Sequence, residues 1–148
     1  MELAAGLTLS PLEDHLAAPR GRGRLAGSEH AGQAGGAPCG DTVRIAVELA
    51  GDRVREAGFE AGGCAAARAA GSAVVELVRG APLLDAARVS ATDVARALGG
   101  LSPERMHAAE LAADALHGAL GSACAAGAAA LARSPSRTLV AMSGGVDS

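Results

Sequence analysis

An alternation of apolar and polar residues that begins at Thr42 constrains the fold of this chain most. Every second position from Val43 to Leu49 holds valine, isoleucine or leucine, and the positions between hold arginine, alanine and glutamate. A period of two predicts a half-buried strand. The Ala-Gly-Asp triplet that follows is typical of a turn, and residues 54–60 have a second, weaker strand pattern. We therefore predict an antiparallel hairpin.

Helical patterns dominate the remaining sequence. Residues 11–17 predict a short helix, whereas residues 19–38, rich in glycine and small polar residues, predict a loop. Helices are then predicted over residues 65–79, 83–89 and 92–98, and over a last helix with Ser102 as its N-cap and Pro103 at its first position. Because strands come early and helices late, we predict an α+β fold: a small antiparallel sheet covered by helices on one face.

The core of such a fold must be thin. Among 148 residues there is no Trp, no Tyr and one Phe, and much of the 49% hydrophobic content is alanine, which buries little area per residue. A bound metal or a partner subunit therefore has room to contribute to stability. The net charge of -3 and the pI near 5.8 provide no basic surface for nucleic-acid phosphates, so we expect no direct nucleic-acid binding.

The N-terminus does not have the pattern of a signal peptide, because Glu2 is acidic and Pro11 ends a broken apolar run. Charged residues interrupt every candidate membrane span. We expect a soluble, cytoplasmic protein with no membrane contact. Its three cysteines, an odd and widely spaced set, predict metal or redox ligands before disulfides.

Four donors fall at places that such a fold can bring together. Cys39 and Asp41 precede the first predicted strand, Cys64 lies between the second strand and the long helix, and His107 begins the last helix. Two thiolates, a carboxylate and an imidazole suit a tetrahedral zinc site or an iron–sulfur cluster with mixed ligands. The helix dipole should favour the Cys64 thiolate. The alternative is a loop thiol at Cys39, a small buried residue at Cys64 and a solvated His107.

The segments "DHLAAPRGRGRL", "PCGDTVRIAVEL", "FEAGGCAAARAAGSAVVELVRG" and "GGLSPERMHAAELAADAL" resemble, in order, four blocks of the IscU/NifU-type iron–sulfur scaffold family, over about residues 10–120. The resemblance implies an α+β fold whose ligands to iron, a [2Fe–2S] cluster or zinc are Cys39, Asp41, Cys64 and His107. It also implies a cysteine desulfurase and recipient apo-proteins as partners, and allows a homodimer that shares a cluster.

Two departures from that family bear on function. The family has His-Cys where this chain has His107-Ala108, so the usual acceptor of persulfide sulfur is missing. Cys124 does not replace it, because a continuous helix would put it about 25 Å from His107 at about 1.5 Å per residue. "LSPER" stands where scaffolds served by an Hsp70-type chaperone have Leu-Pro-Pro-Val-Lys, which weakens the expectation of that partner.

The last twelve residues, "RTLVAMSGGVDS", resemble the start of a PP-loop domain, most of all that of the bacterial tRNA 2-thiouridylase family. The expected organisation is a scaffold domain over residues 1–121, an Ala/Ser-rich linker over 122–136 and a truncated PP-loop start of an α/β domain over 137–148. An apolar strand followed by glycines and hydroxyls suits phosphate binding. The residues of this incomplete ATP loop are Ser143, Gly144, Gly145, Asp147 and Ser148.

Three hypotheses follow for function. The first is an assembly scaffold or carrier of a [2Fe–2S] cluster, or of zinc when resting. The second is the sulfur-donor part of a longer fused tRNA 2-thiouridylase, in which ATP and Mg²⁺ would bind beyond this chain. The third is a degenerate domain that retains zinc to stabilise a poor core. In none of them is the chain expected to be a catalyst by itself.

Overall fold

The computed structural model describes residues 10–25, 30–36 and 40–132, with residues 127–132 as helix backbone only. The secondary-structure elements, in chain order, are α1 (Pro11–Ala17), β1 (Ala31–Gly35), β2 (Thr42–Ala50), β3 (Arg53–Gly62), α2 (Ala65–Val78), α3 (Leu83–Ala87), α4 (Ala91–Ala97) and α5 (Met106–Ala132). No helix in the described ranges is both long enough and apolar enough to cross a membrane.

The three strands form one antiparallel sheet in the order β1-β2-β3. The predicted hairpin is confirmed: β2 pairs with β3 from Thr42 opposite Gly62 to Ala50 opposite Arg53, with an irregularity between Glu48 and Leu49. The sheet packs against helices, as predicted for an α+β fold. α5 contacts β1 and β2, α2 contacts β2 and β3, and the two helices contact each other.

Small residues allow these layers to approach closely. The buried part of α2 is mostly alanine and valine, and Gly71 of this helix faces the ring of Phe59 on β3. A Cβ built on Gly71 would lie 2.5 Å from the Phe59 ring. The only aromatic residue of the chain therefore occupies a space that a glycine leaves open.

The prediction of a loop over residues 19–38 was wrong in part, because β1 lies within it and pairs with β2. The strand pattern is absent because Gly32 has no side chain that could contribute to an apolar–polar alternation. The same glycine lets α5 pack directly on the backbone of β1. A Cβ at Gly32 would overlap the Ala115 carbonyl and the backbone around Gly118. A glycine inside a strand often marks such a close approach.

The predicted start of the last helix was also wrong. Residues 103–105 form a turn, and α5 begins at Met106 instead of Pro103. The Ser102 carbonyl accepts hydrogen bonds from the N–H groups of both Arg105 (2.9 Å) and Met106 (3.0 Å), so the chain tightens before the regular helix begins.

Candidate metal centre

The centre of the candidate site is a contact between Asp41 and Cys64, which lie 23 residues apart. Pairing of Thr42 with Gly62 brings the residue before β2 next to the segment after β3. The backbone N–H of Cys64 donates to Asp41 Oδ1 at 2.9 Å, and the thiol Sγ lies 3.4 Å from Asp41 Oδ2. The hairpin register thus joins two of the four predicted ligands.

Gly63 makes this contact geometrically feasible. Its φ of +96° lies in the region that favours glycine, and a Cβ there would overlap Asp41 Oδ1. Any side chain at this position would have to displace the carboxylate. The close approach of Asp41 to the backbone therefore requires glycine at position 63.

Cys64 is the N-cap residue of α2, in an extended conformation with φ -77° and ψ 164°. The helix that follows has 14 residues, and its first N–H groups face outward from this end. Helix N-termini favour negative charge nearby. Cys64 is exposed, so its sulfur is accessible to a metal ion or to a sulfur donor.

His107 lies on the wall of the same cavity, at the second residue of α5. The cavity has a volume of about 370 Å³ and also contains Asp41 and Cys64 in its lining. In the described ranges no three His, Cys, Asp or Glu side chains lie close enough to coordinate one ion as they stand. Cys39, the remaining predicted ligand, lies outside the described residues.

The chemistry of this donor set suits the ions that the sequence predicts. Thiolate sulfur and imidazole nitrogen bind zinc and iron, and a carboxylate can complete either set. Asp41 and Cys64 are already in contact, and His107 lines the same cavity, whose volume of about 370 Å³ leaves room for an ion and for side-chain rotation. These residues therefore fit zinc, iron or an iron–sulfur cluster when the His107 side chain turns toward the Asp41–Cys64 pair.

Helix α1 forms the apolar wall of this cavity through Leu12 and Leu16. Buried polar contacts hold the helix in place: His15 Nδ1 lies 2.6 Å from Ser72 Oγ of α2, and its Nε2 lies 3.1 Å from Glu76 Oε1. The N–H of Arg20 donates to the same Ser72 Oγ at 2.8 Å. His15 and Ser72 are 3% and 0% exposed, so this network fixes α1 on α2.

The neutral form of His15 suits this position. Burial is the main cause that lowers the pKa of its imidazole, and the Arg20 guanidinium acts in the same direction. Glu76 and Asp14 oppose the shift. A neutral imidazole protonated on Nε2 accepts from Ser72 and donates to Glu76, which satisfies both ring nitrogens.

Other residues that the sequence singled out lie elsewhere. Ala108, which stands in place of the family's third cysteine, is 2% exposed and contributes only a methyl group to the cavity wall. Cys124 lines a separate cavity of about 340 Å³ with Leu84 and His117. The residues of the incomplete ATP loop lie outside the described residues; they are Ser143, Gly144, Gly145, Asp147 and Ser148.

Sequence reasoning missed two charged residues of the cavity. Glu104 and Arg105 line it together with Cys64 and His107. The available signal was proximity in the sequence, because Glu104 and Arg105 lie within three residues of the predicted ligand His107.

Comparison with known proteins gives consistent results. The sequence profile of the NifU-like N-terminal domain matches residues 11–125. The chain is 44% identical over 146 residues to the bifunctional protein NifU/MnmA of Rubrobacter xylanophilus, an alignment that covers 91% of this chain but 30% of that relative. It is 36% identical over 107 residues to the iron–sulfur cluster assembly scaffold protein IscU 1 of Archaeoglobus fulgidus, covering 72% of this chain and 70% of the relative.

A solved structure shares the fold. It belongs to a protein of Fervidobacterium islandicum AW-1 described as an iron–sulfur cluster assembly scaffold protein for the SUF system, and it matches with a TM-score of 0.58 at 20% identity. The match covers 76% of this chain and 95% of that structure. With the profile match over most of the sequence, the chain belongs to the NifU-like N-terminal domain family, the IscU/NifU type of iron–sulfur cluster assembly scaffold.

Proposed function

We propose that this scaffold holds iron and a [2Fe–2S] cluster, or zinc when resting, through Cys39, Asp41, Cys64 and His107. The observation that carries the proposal is the contact between Asp41 and Cys64, in a cavity that His107 also lines. Imidazole, carboxylate and thiolate groups brought to one accessible cavity have the composition of a mixed-ligand site.

The carboxylate of Asp41 gives this site a specific property. Carboxylate oxygen is a harder ligand than thiolate sulfur and binds a cluster iron more weakly. A cluster held partly by Asp41 is therefore easier to hand on than one held by thiolates alone. Weaker binding suits a scaffold protein that transfers its cluster to another protein.

The proposed partners are a cysteine desulfurase that supplies sulfur and apo-proteins that receive the cluster. Cys64 is exposed at the end of a helix and is accessible to a sulfur donor. Ala108 provides no thiol to accept sulfur beside His107. Sulfur must therefore enter through Cys39 or Cys64, or be delivered directly as sulfide.

The test is anaerobic incubation of the chain with ferrous iron, cysteine and a cysteine desulfurase, followed by addition of an apo-protein that takes a [2Fe–2S] cluster. We expect iron, acid-labile sulfide and visible charge-transfer bands on this chain, and then transfer of the bands to the recipient. Cys64→Ser should lose them, whereas Cys124→Ser, which changes an exposed thiol of another cavity, should retain them. Zinc retained without sulfide would instead support a degenerate, zinc-stabilised domain.

We infer a second role from the relative named bifunctional protein NifU/MnmA, which aligns with 91% of this chain. In a longer polypeptide, residues 1–121 would serve as the scaffold domain, 122–136 as a linker that begins as the continuation of α5 to Ala132, and 137–148 as the start of a PP-loop domain that binds ATP. A tethered scaffold raises the local concentration of sulfur or cluster for a tRNA 2-thiouridylase. The chain spans about 30% of the length of that relative, so this role concerns the longer protein.

A tRNA thiolation assay on a polypeptide extended beyond Ser148 tests this second role. If the scaffold supplies the reaction, Cys64→Ser should lower thiolation with desulfurase as the sulfur source and leave it unchanged with excess free sulfide. Equal loss with both sources, or no loss with either, would contradict the role.

A further inference from the structure

Glu104 lies in the turn that precedes α5. Its side chain is exposed and lines the cavity together with Asp41, Cys64 and His107. It lies three residues before His107 and four before Ala108, and all three residues line the same cavity. The carboxylate thus shares this cavity with the imidazole and with the position that lacks a thiol.

Ala108 creates a shortage of donors on this wall. Its methyl group is almost fully buried and has no atom that binds a metal. The α5 side of the cavity therefore has one nitrogen donor, from His107, unless a neighbouring residue supplies another. Glu104 is the other metal-binding side chain that this part of the described structure contributes to the cavity lining.

The Glu104 carboxylate is available for that purpose. Within the described ranges it makes no hydrogen bond and no ion pair, unlike Asp41, which already contacts Cys64. Turning Glu104 into the cavity breaks no existing polar contact and costs mainly side-chain entropy. The space of about 370 Å³ accommodates the movement.

A positive charge in the cavity can compensate for a second carboxylate. Two carboxylates and the thiolates together carry more negative charge than one divalent ion neutralises, and an unpaired negative charge is costly to bury. Arg105 lines the same cavity, next to Glu104 in sequence. Its guanidinium can offset that excess while Glu104 binds the metal.

From these observations we propose that Glu104 is a further ligand of the bound metal or cluster iron, in place of the thiol that Ala108 does not provide. The inference rests on the proposed function, since it concerns the same cargo. The ligands next to α5 are then the Glu104 oxygen and the His107 nitrogen. The family resemblance implies instead the nitrogen and sulfur of a His-Cys pair. The ligand sphere of this chain is then harder than that of a scaffold with three thiolates.

Anaerobic titration with Co²⁺, read by its visible absorption and by competition with a chelator, tests the proposal without any assembly reaction. Glu104→Gln keeps the size of the side chain and removes its charge. We expect it to weaken Co²⁺ binding about tenfold or more, and to change the d–d absorption bands, because one ligand is replaced. Glu110→Gln, at an exposed glutamate of α5 outside the cavity lining, is the matched control and should bind as the wild type does.

A compensating variant separates a ligand role from a structural one. Adding Ala108→Cys to Glu104→Gln should restore Co²⁺ affinity and raise the thiolate-to-cobalt charge-transfer absorption. Equal affinity and spectra for wild type and Glu104→Gln would overturn the inference, as would a folded double variant that binds no better than Glu104→Gln. Failure of the wild type itself to bind Co²⁺ and iron would instead overturn the proposed function.

Discussion

The backbone N–H of Cys64 donates a 2.9 Å hydrogen bond to Oδ1 of Asp41, while the other carboxylate oxygen lies 3.4 Å from the thiol sulfur. One carboxylate therefore fixes both the start of α2 and the position of its cysteine. This dual role means that the stability of the fold and the geometry of the site depend on the same side chain.

Replacement of Asp41 should separate these two effects. Asp41→Ala removes the acceptor of the Cys64 N–H, and we expect the metal-free protein to lose about 1 kcal/mol of unfolding free energy. Asp41→Asn keeps an acceptor oxygen and should lose less than half as much, although it lacks the negative charge of a ligand. Urea unfolding in the presence of a chelator measures both variants, and equal losses would show that the hydrogen bond does not stabilise the start of α2.

Gly63→Ala should damage the site more than its size suggests. The positive φ of Gly63 is unfavourable for alanine, and the new Cβ would overlap Asp41 Oδ1. We expect a loss of about 1–3 kcal/mol in unfolding free energy, together with weaker metal binding, because the carboxylate must move. Gly121→Ala is the matched control: it lies in α5 with open space around the added Cβ, and we expect it to be neutral or stabilising. Similar effects of the two substitutions would contradict the role given to Gly63.

Gly71→Ala tests the packing of the thin core. Alanine favours helices over glycine by about 1 kcal/mol, but at this position its Cβ would press on the Phe59 ring. We expect overpacking to win, with a net loss of about 1–3 kcal/mol in unfolding free energy. Phe59→Leu removes the ring. The double variant with Gly71→Ala should therefore lose less unfolding free energy than the sum of the losses of the two single variants. Strict additivity of the two losses would argue against direct contact.

The free energy of unfolding should decrease as the solution becomes more acidic, because of His15. Burial lowers the pKa of its imidazole in the folded protein, whereas the unfolded chain titrates near the ordinary value of about 6.5. The contribution of His15 is therefore fully present above about pH 6.5 and declines as pH falls below it, since only the unfolded state takes up the proton. Urea unfolding at pH 7.5 and 5.5 measures the decline, and it should be smaller in His15→Asn. An unchanged pH dependence in that variant would rule out His15 as its source.

Local patterns in the sequence were sufficient to predict the hairpin, because alternation at β2 and the turn before β3 act over a few residues. The hairpin also accounts for half of the site, since the pairing of Thr42 with Gly62 places Asp41 beside Cys64. β1 escaped prediction because its alanines, glycines and glutamine do not alternate in polarity. Its pairing depends on β2 and on close packing of α5 against Gly32, neither of which is a local property.

The network around His15 could not be derived from sequence patterns, since His15, Ser72 and Glu76 lie in two separate helices. The placement of Glu104 in the cavity likewise depends on where the turn before α5 meets the end of the hairpin. Family resemblance supplied the proposed ligand set, whereas the structure supplied the contact between two of its members. The role of Cys39 stays a prediction, because this residue lies outside the described ranges.

X-ray absorption at the iron edge, after anaerobic assembly of the cluster, tests the proposed ligand set most directly. The proposal predicts an oxygen or nitrogen shell in addition to the sulfur shell, because Asp41 and His107 share the iron with Cys39 and Cys64. His107→Ala should reduce that light-atom shell. Iron surrounded by sulfur alone, unchanged by His107→Ala, would contradict a site built on the Asp41–Cys64 pair and His107.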